Sequence, residues 1–580
     1  DLTLGIDSFA VSVNQVNGSI GAVDPDDLVI DFAASPLTVT LSSETPRVID
    51  MPGADGRQVS IAGTVDLAIG DTIALSGDMA FAMSRGDLKV SGGNDGSVDA
   101  SLIHVSGADI AARYMSAGPD SLGVDLQGLG FDLVIASDRG SSDRWLGLSA
   151  VASSASLMGS QDTGLALAGE NLALAVNMGL GQTDSVIDWA TTGAVGASGV
   201  TLGMNDYRLA LSGSVAVAMD QASLSGQVLM EVHRGDVTVG GVSVATTGLM
   251  IGADDLSGSV SGVEVQGLEA GLVLVRAETG SDTDSRGWLS MRASADTVSL
   301  DSEALGLPDL LDATATNLRF GINTGFGQYH GETNRSVLDL AGDRAISVSS
   351  QVDGSGASTV LDFDGADGVQ VSIDFDGEIA VGTALAIQGS FGIQRVGNRQ
   401  VFLKDAEQHV TMAATTIVAT GVSGRAGLNV NDTGSFQGLS LSDGSAGLMI
   451  LEHHSGSQFV GIEVNAEQVS LDGIPQVNIV GRSLTVSANL TAQAGELAGG
   501  VVDFSRGDID GNGVIDGATV LSDGSGSTLI RIDQPDAGVT ASGSVSLRVD
   551  RLDAGAGDQP LLAGEADLSG QFGDGEIRID

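Results

Sequence analysis

The sequence predicts an all-β chain: an elongated array of β-rich repeats of about 150–165 residues, stacked as a β-solenoid or β-prism in preference to tandem β-sandwiches. Three observations carry this. Apolar residues make up 42% of the 580 positions but aromatic ones only 3%, so the core must be built from Val, Leu, Ile and Ala, as in stacked sheets. Glycine occurs 84 times against 9 prolines, without a collagen period, which gives frequent turns and many short strands. The same landmarks also return in order along the chain.

The first landmark is a period-two strand ending in Asn. It occurs as Phe9 to Asn14, Leu172 to Asn177, Leu318 to Asn323 and Leu484 to Asn489. Apolar residues hold the same three alternate positions in each copy, the mark of a half-buried strand. Between 11 and 17 residues later comes an Asp between apolar neighbours: Asp31, Asp188, Asp339 and Asp503, spaced by 157, 151 and 164 residues. These Asp residues are expected to cap turns or face solvent. The second landmark, Gln-Gly-Leu, begins at Gln127, Gln266 and Gln437. Each copy precedes an apolar strand, a polar turn and an aromatic (Trp145, Trp288, Phe459) expected to plug the core. Strands of about six to nine residues are expected between the turns. One helical candidate, Leu307 to Ala313, has Pro308 at a helix start.

These landmarks divide the chain into residues 1–50 as the end of a preceding repeat, repeats at 51–205, 206–365 and 366–520, and 521–580 as the start of another. The third repeat carries a loop insertion described below. Both ends cut through a repeat, as in a section of a longer array. Common sandwich domains run near ~100 residues around an aromatic core, which disfavours that alternative.

The formal charge is −50, from 75 acidic and 25 basic residues, with Asp far outnumbering Glu and lysine present only as Lys89 and Lys404. Such a field repels phosphate, so no nucleic acid partner is expected. Anionic membrane surfaces are disfavoured for the same reason. Asp is a short hard-oxygen ligand suited to tight turns, so its excess fits calcium. It fits equally the charge that keeps a long β array soluble, or a halophilic source. Cysteine is absent, which excludes disulfides and thiolate metal sites. No apolar run reaches the ~18 residues of a membrane helix, so no membrane insertion is expected. The segment from Asp1 to Leu4 lacks the basic and apolar parts of a signal peptide.

The sharpest local motif runs from Asp508 to Asp516. Side-chain oxygens stand at positions 1, 3, 5 and 9 (Asp508, Asp510, Asn512, Asp516), with Gly513 at 6 and the Val514 carbonyl at 7. That spacing curls hard oxygens around one cation. The stretch resembles the calcium loops of dockerins and of thrombospondin-type repeats. The resemblance implies calcium bound by Asp508, Asp510, Asn512, Val514 and Asp516; position 12 is Thr519 rather than Glu. An Asp/Gly turn between strands is the other reading. Weaker acidic clusters are Asp362, Asp364 and Asp367, then Asp374, Asp376 and Glu378, and Asp24, Asp26 and Asp27.

Catalysis has little support in the sequence. Neither lysine sits in a phosphate-binding loop, no His begins an H-E-x-x-H motif, and His453-His454 reads as turn decoration. In bulk character the chain resembles large acidic bacterial surface proteins of the calcium-dependent adhesin and surface-layer kind. That resemblance implies an extracellular, cell-surface, non-enzymatic protein: a structural or adhesive part of a filament, surface layer or stalk. Its partners would be neighbouring repeats of the same protein through self-association. A glycan-binding adhesin is the alternative, and would expose Trp145, Trp189 or Trp288 to a surface glycan. A polysaccharide-processing β-helix enzyme is the third reading, and would gather carboxylates in one repeat only.

Overall fold

The structure is a computed structural model. It describes all residues except 1, 17–28, 41–46, 52, 54–56, 70–71, 92–95, 116–122, 159–165, 181–184, 193–201, 220–221, 261–262, 279–283, 301–310, 382, 433, 494–496, 498–499, 508–518, 523–527, 550–561 and 573–580.

Among the described residues, 23 strands belong to one antiparallel sheet. Six strands recur in a fixed order. The first module comprises Leu2–Asn14, Gln58–Ile69, Ile73–Ser91, Gly96–Met115, Gly123–Asp138 and Arg144–Met158. The second comprises Ala166–Leu180, Arg208–Met219, Ala222–Val239, Val242–Val260, Val263–Ala277 and Gly287–Leu300. The third comprises Leu311–Phe326, Gln370–Val381, Leu385–Leu403, Gln408–Leu428, Gln437–Glu452 and Gln458–Asp472, and Val477–Gln493 opens a fourth. In the first module each strand pairs antiparallel with the next along the chain, as it does in the third.

This corrects the predicted stacked solenoid or prism. A solenoid pairs strands one rung apart, whereas here hairpin neighbours pair in a meander. The strands are also longer than expected, 12 to 21 residues for the six of the third module. Glycines that read as turns lie inside them: Gly77, for example, sits mid-strand in Ile73–Ser91. The helix expected from Leu307 is not formed where the chain is described, since Leu311–Phe326 is a strand.

The repeated landmark strand starts at a β-bulge. Ser8, Asn171, Asn317 and Ser483 have φ of 53°, 51°, 52° and 50°, a left-handed conformation that short polar residues tolerate best. The next residue (Phe9, Leu172, Leu318, Leu484) is the first apolar position of the landmark. The ladder slips there in each copy, as an extra residue on one strand requires. Glycine makes room opposite: a Cβ on Gly213 or Gly543 would lie 2.5 Å from Leu172 Cδ2 or Leu484 Cδ2 respectively.

Between the opening and second strands of each module the chain makes an excursion, pinned by the recurrent Asn. Asn14, Asn177, Asn323 and Asn489 are buried. Their Nδ2 atoms donate to the carbonyls of Ile30, Ile187, Leu338 and Val502 at 2.7–2.9 Å. Each acceptor directly precedes the recurrent Asp. Asp31, Asp188, Asp339 and Asp503 in turn accept amide hydrogens two or three residues ahead, as turn caps. The four matched pairs therefore have the same surroundings.

The chain forms two compact units, residues 1–234, 249–253 and 349–357, and residues 235–248, 254–348 and 358–580. Each has its own core beneath an excursion. In the first, Ile187, Trp189, Leu202 and Met204 cover Leu88, Val90, Leu102, Val134 and Trp145. In the second, Val502, Phe504 and Ile532 cover Leu403, Met412, Met449, Leu451 and Phe459. Rings lie directly on glycine: a Cβ on Gly147 would be 2.7 Å from the Trp189 indole, and one on Gly461 2.7 Å from Phe504. The two lysines serve these excursions. Lys89 Nζ lies 3.2 Å from Asp188, and Lys404 pairs with Asp536.

Candidate functional site

Alternation along these strands gives the sheet two chemically distinct faces. In the first unit one row across eight strands reads Val11, Ile61, Phe81, Val105, Leu133, Leu148, Val176, Leu209. In the second unit a row across ten strands reads Ala270, Ala293, Phe320, Ile373, Ile393, Ile417, Leu448, Ile462, Ala488, Val539. Every member is apolar. Most are not buried: Val11, Ile61, Ile393 and Ile417 are exposed to 52, 39, 42 and 40%, and Met83, Ile103, Leu211 and Val486 on the same face are exposed too. An apolar surface this continuous is rare on a monomer in water and marks an interaction surface.

The adjoining rows are polar or small. One reads Ser106, Asp132, Ser149, Ala175. Another reads Arg319, Asp374, Gly392, Val418, Gly447, Glu463, Ser487. Where an excursion covers this face its side chains are apolar and buried; elsewhere it is open. Four clefts lie on it. The largest, 660 Å³, is lined by Glu378, Gln388, Ser423, Arg425, Ser440 and Gln468 among others. The rest hold Thr64, Asp78 and Ser106; Ser156, Ser223 and Ser225; and Asp66, Arg113 and Asp125. In both units these hollows open on the polar face.

Several buried polar groups on this face are paired, whereas the Ser290 hydroxyl and Asn323 Oδ1 have no partner among the described residues. His104 Nε2 lies 2.9 Å from Asp132 Oδ1, with both side chains buried. Asn177 donates to the carbonyls of Ile187 and Asp206 and accepts from Trp189 Nε1 at 3.0 Å. At the outer turns, carboxylates are held ionised by local donors. The Gly53 and Ala34 amides keep Asp31 below the usual carboxylate range, and Arg286 does the same to Asp284 through its Nε and Nη2 at 2.8–3.2 Å.

The predicted calcium ligands Asp508, Asp510, Asn512, Val514 and Asp516 lie outside the described residues, as do Asp24, Asp26 and Asp27. Of the other acidic clusters, Asp362 pairs with Arg292. Asp364 caps the Ala366 amide at 2.8 Å, and Asp376 accepts from Ser390 and Asn317. Among the described residues no three His, Asp or Glu side chains gather as a metal centre would require. The His453 and His454 rings lie with centroids 3.9 Å apart, tilted by 50°.

Trp145, Trp189 and Trp288 are 2, 1 and 0% exposed. A glycan-stacking groove built on them is thereby excluded, because no ring face is presented to a sugar. The β-helix enzyme reading falls with the solenoid. The apolar rows overturn the soluble filament, surface layer or stalk, its secreted location, and the expected absence of membrane insertion. A free-standing extracellular array, associating only with its own repeats, would not leave whole rows of Val, Ile and Leu uncovered in water. The charge argument failed because the rows themselves carry no charge: charged residues on that face, such as the paired Arg395 and Glu452, stand beyond them.

No protein-family model matches the sequence, and no curated protein matches it. Solved structures that match are described as ferric enterobactin or siderophore receptors and, in one case, as an outer membrane transporter. The ferric enterobactin receptor of Pseudomonas aeruginosa is 11% identical, over 89% of this chain and 72% of its own, with a TM-score of 0.18. The siderophore receptor PirA of the same organism is 8% identical, over 90% and 78%, with a TM-score of 0.14. The outer membrane transporter YddB of Escherichia coli is 7% identical, over 77% and 74%, with a TM-score of 0.12. Likenesses at these TM-scores carry no argument about this chain.

Proposed function

We propose that the chain is a membrane-embedded β protein whose apolar rows contact lipid acyl chains while the polar face lines a watered path for small polar solutes. The observation that carries this reading is the unbroken apolar row across ten strands, in which Ile393 and Ile417 are exposed, seven members are half-buried and only Ala488 is buried. The dimensions support it. In Ile73–Ser91, alternate positions from Ile73 to Met83 are Ile, Leu, Gly, Met, Phe and Met. About ten rises of ~3.3 Å, tilted by ~40°, span ~25 Å, the height of the apolar band of outer-membrane barrels. No described helix is long and apolar enough to cross a membrane, so spanning would fall to strands, whose backbone groups are satisfied by their neighbours. Mixed with phospholipid vesicles on a density gradient, the protein should float with the lipid and stay bound through carbonate washing. Recovery as a monodisperse, detergent-free soluble protein would defeat the proposal.

Calcium at Asp508–Asp516 forms a second part of the proposal, supported by the oxygen spacing of that loop. Chelation with EDTA should lower the melting midpoint, and excess calcium restore it. An unchanged melt removes the calcium.

A further inference from the structure

Two of the clefts occupy the same place in different modules. Aligning the bulges and ladders sets Asp66 against Glu378, Ser76 against Gln388, and Arg113 against Arg425. One cleft is lined by Asp66, Ser76 and Arg113, the other by Glu378, Gln388 and Arg425. An acid on the second strand and an arginine on the fourth thus face one hollow, with the third strand as its floor. At the matching positions the second module has Ala216 and Ser259. The two charges are present together or absent together.

Among the described residues neither arginine is bound to an acid, although Arg113 has Asp125 opposite it on the ladder where Arg425 has Ser440. In a chain with three times as many acids as bases, no described carboxylate lies within ion-pair distance of Arg113 or Arg425. Arg425 spends one Nη1 hydrogen on the Val430 carbonyl at 3.4 Å and rests over the Phe436 ring. The acid and arginine stand two strands apart and two residues out of register, which puts their Cα atoms about 12 Å apart. Side-chain reach closes part of that gap. What remains suits a small molecule carrying both charges: an α-amino acid has about 3 Å between ammonium and carboxylate. With a charge-assisted hydrogen bond of about 2.8 Å at each end it spans about 9 Å.

We infer that the clefts at Asp66/Arg113 and Glu378/Arg425 are equivalent binding sites for a small zwitterion of the α-amino acid kind, its carboxylate on the arginine and its ammonium on the acid. The inference stands independently of the membrane reading, since the clefts are open whichever surroundings the apolar face has. Calorimetric titration of the full chain with glycine, L-alanine and L-serine tests it, with acetate and ethylammonium as single-charge controls. Saturable binding at two sites per chain is expected for at least one amino acid, with the controls about tenfold weaker or more, since one hydrogen-bonded charge is lost. Arg113→Gln and Arg425→Gln should each remove one site and the double variant both, with circular-dichroism melts unchanged. Should any of these variants melt early, Arg→Lys at the same position is to retain weaker binding. Undiminished binding in a folded double variant, equal binding of acetate, or no binding of any of the three amino acids would each overturn the assignment.

Discussion

At the scale of single residues, the recurrent Asn is the most heavily used polar side chain, and its contribution should follow its bond count. Asn177 makes three buried hydrogen bonds, Asn489 two and Asn323 one. Truncation leaves those partners buried and unsatisfied, at about 1–3 kcal/mol each. Equilibrium unfolding in urea should therefore rank the losses Asn177→Ala, then Asn489→Ala, then Asn323→Ala, from roughly 3 kcal/mol or more down to about 1. Equal losses would mean that the side chain fills space rather than pinning the excursion. Asp284 supplies a pH test. Arg286 depresses its folded pKa, so its stabilisation is present above the unfolded value of about 3.9 and fades as pH falls through the lower folded value. Asp284→Asn should lower stability near neutrality and flatten the acid limb of the stability profile. The Asn and Asp were legible in the sequence as positions, because they repeat. Their role was not, because a capped excursion and a solvent-facing turn use the same residues. The acid–arginine pairs were not legible either. Their members lie 47 residues apart in both modules, and only the ladder shows that they share a hollow.

At the scale of the element, the bulge decides where each landmark strand begins. Its left-handed residue is Ser or Asn in every opening strand; glycine stands opposite the bulge at Gly63, Gly213 and Gly543, and Phe375 in the third module. The fourth strand repeats the device at Asp109, where a Cβ on Gly77, itself at φ 147°, would lie 2.8 Å from the Ile110 Cα. That contact is to backbone and cannot be relieved by a rotamer change. Gly77→Ala should therefore cost about 1–3 kcal/mol, the range of overpacked sites, read as a lowered urea midpoint. Gly240→Ala, at a turn with nothing within 4 Å, should cost about 1–2 kcal/mol, through its positive φ alone. The period-two pattern revealed the strands, but not their length. Mid-strand glycines that seat bulged side chains look in sequence like the glycines of turns, and the strands were cut short at them. Pairing direction was hidden for the same reason, since hairpin and rung connections carry the same turn residues.

At the scale of the whole molecule, the account rests on the chemistry of the two faces. An arginine placed on the apolar face should be costly if that face meets hydrocarbon: Ile417→Arg about 2–4 kcal/mol, as at the midplane of a membrane barrel, and Gln388→Arg close to zero. The even spread of carboxylates was visible in the sequence and disfavoured a localised carboxylate centre. The apolar face was visible too, residue by residue, but half-buried alternation reads alike whether protein or lipid covers the apolar side. Only the exposure of Ile393, Ile417 and their neighbours separates the two. The most direct test places single cysteines, each carrying a fluorophore, at Ile393, Ile417 and Val486 on one face and at Gln388 and Ser442 on the other, in vesicles whose acyl chains are brominated. The account predicts strong quenching for the first three labels and little for the other two. Equal quenching of both sets, or none at Ile393, Ile417 and Val486, would contradict it.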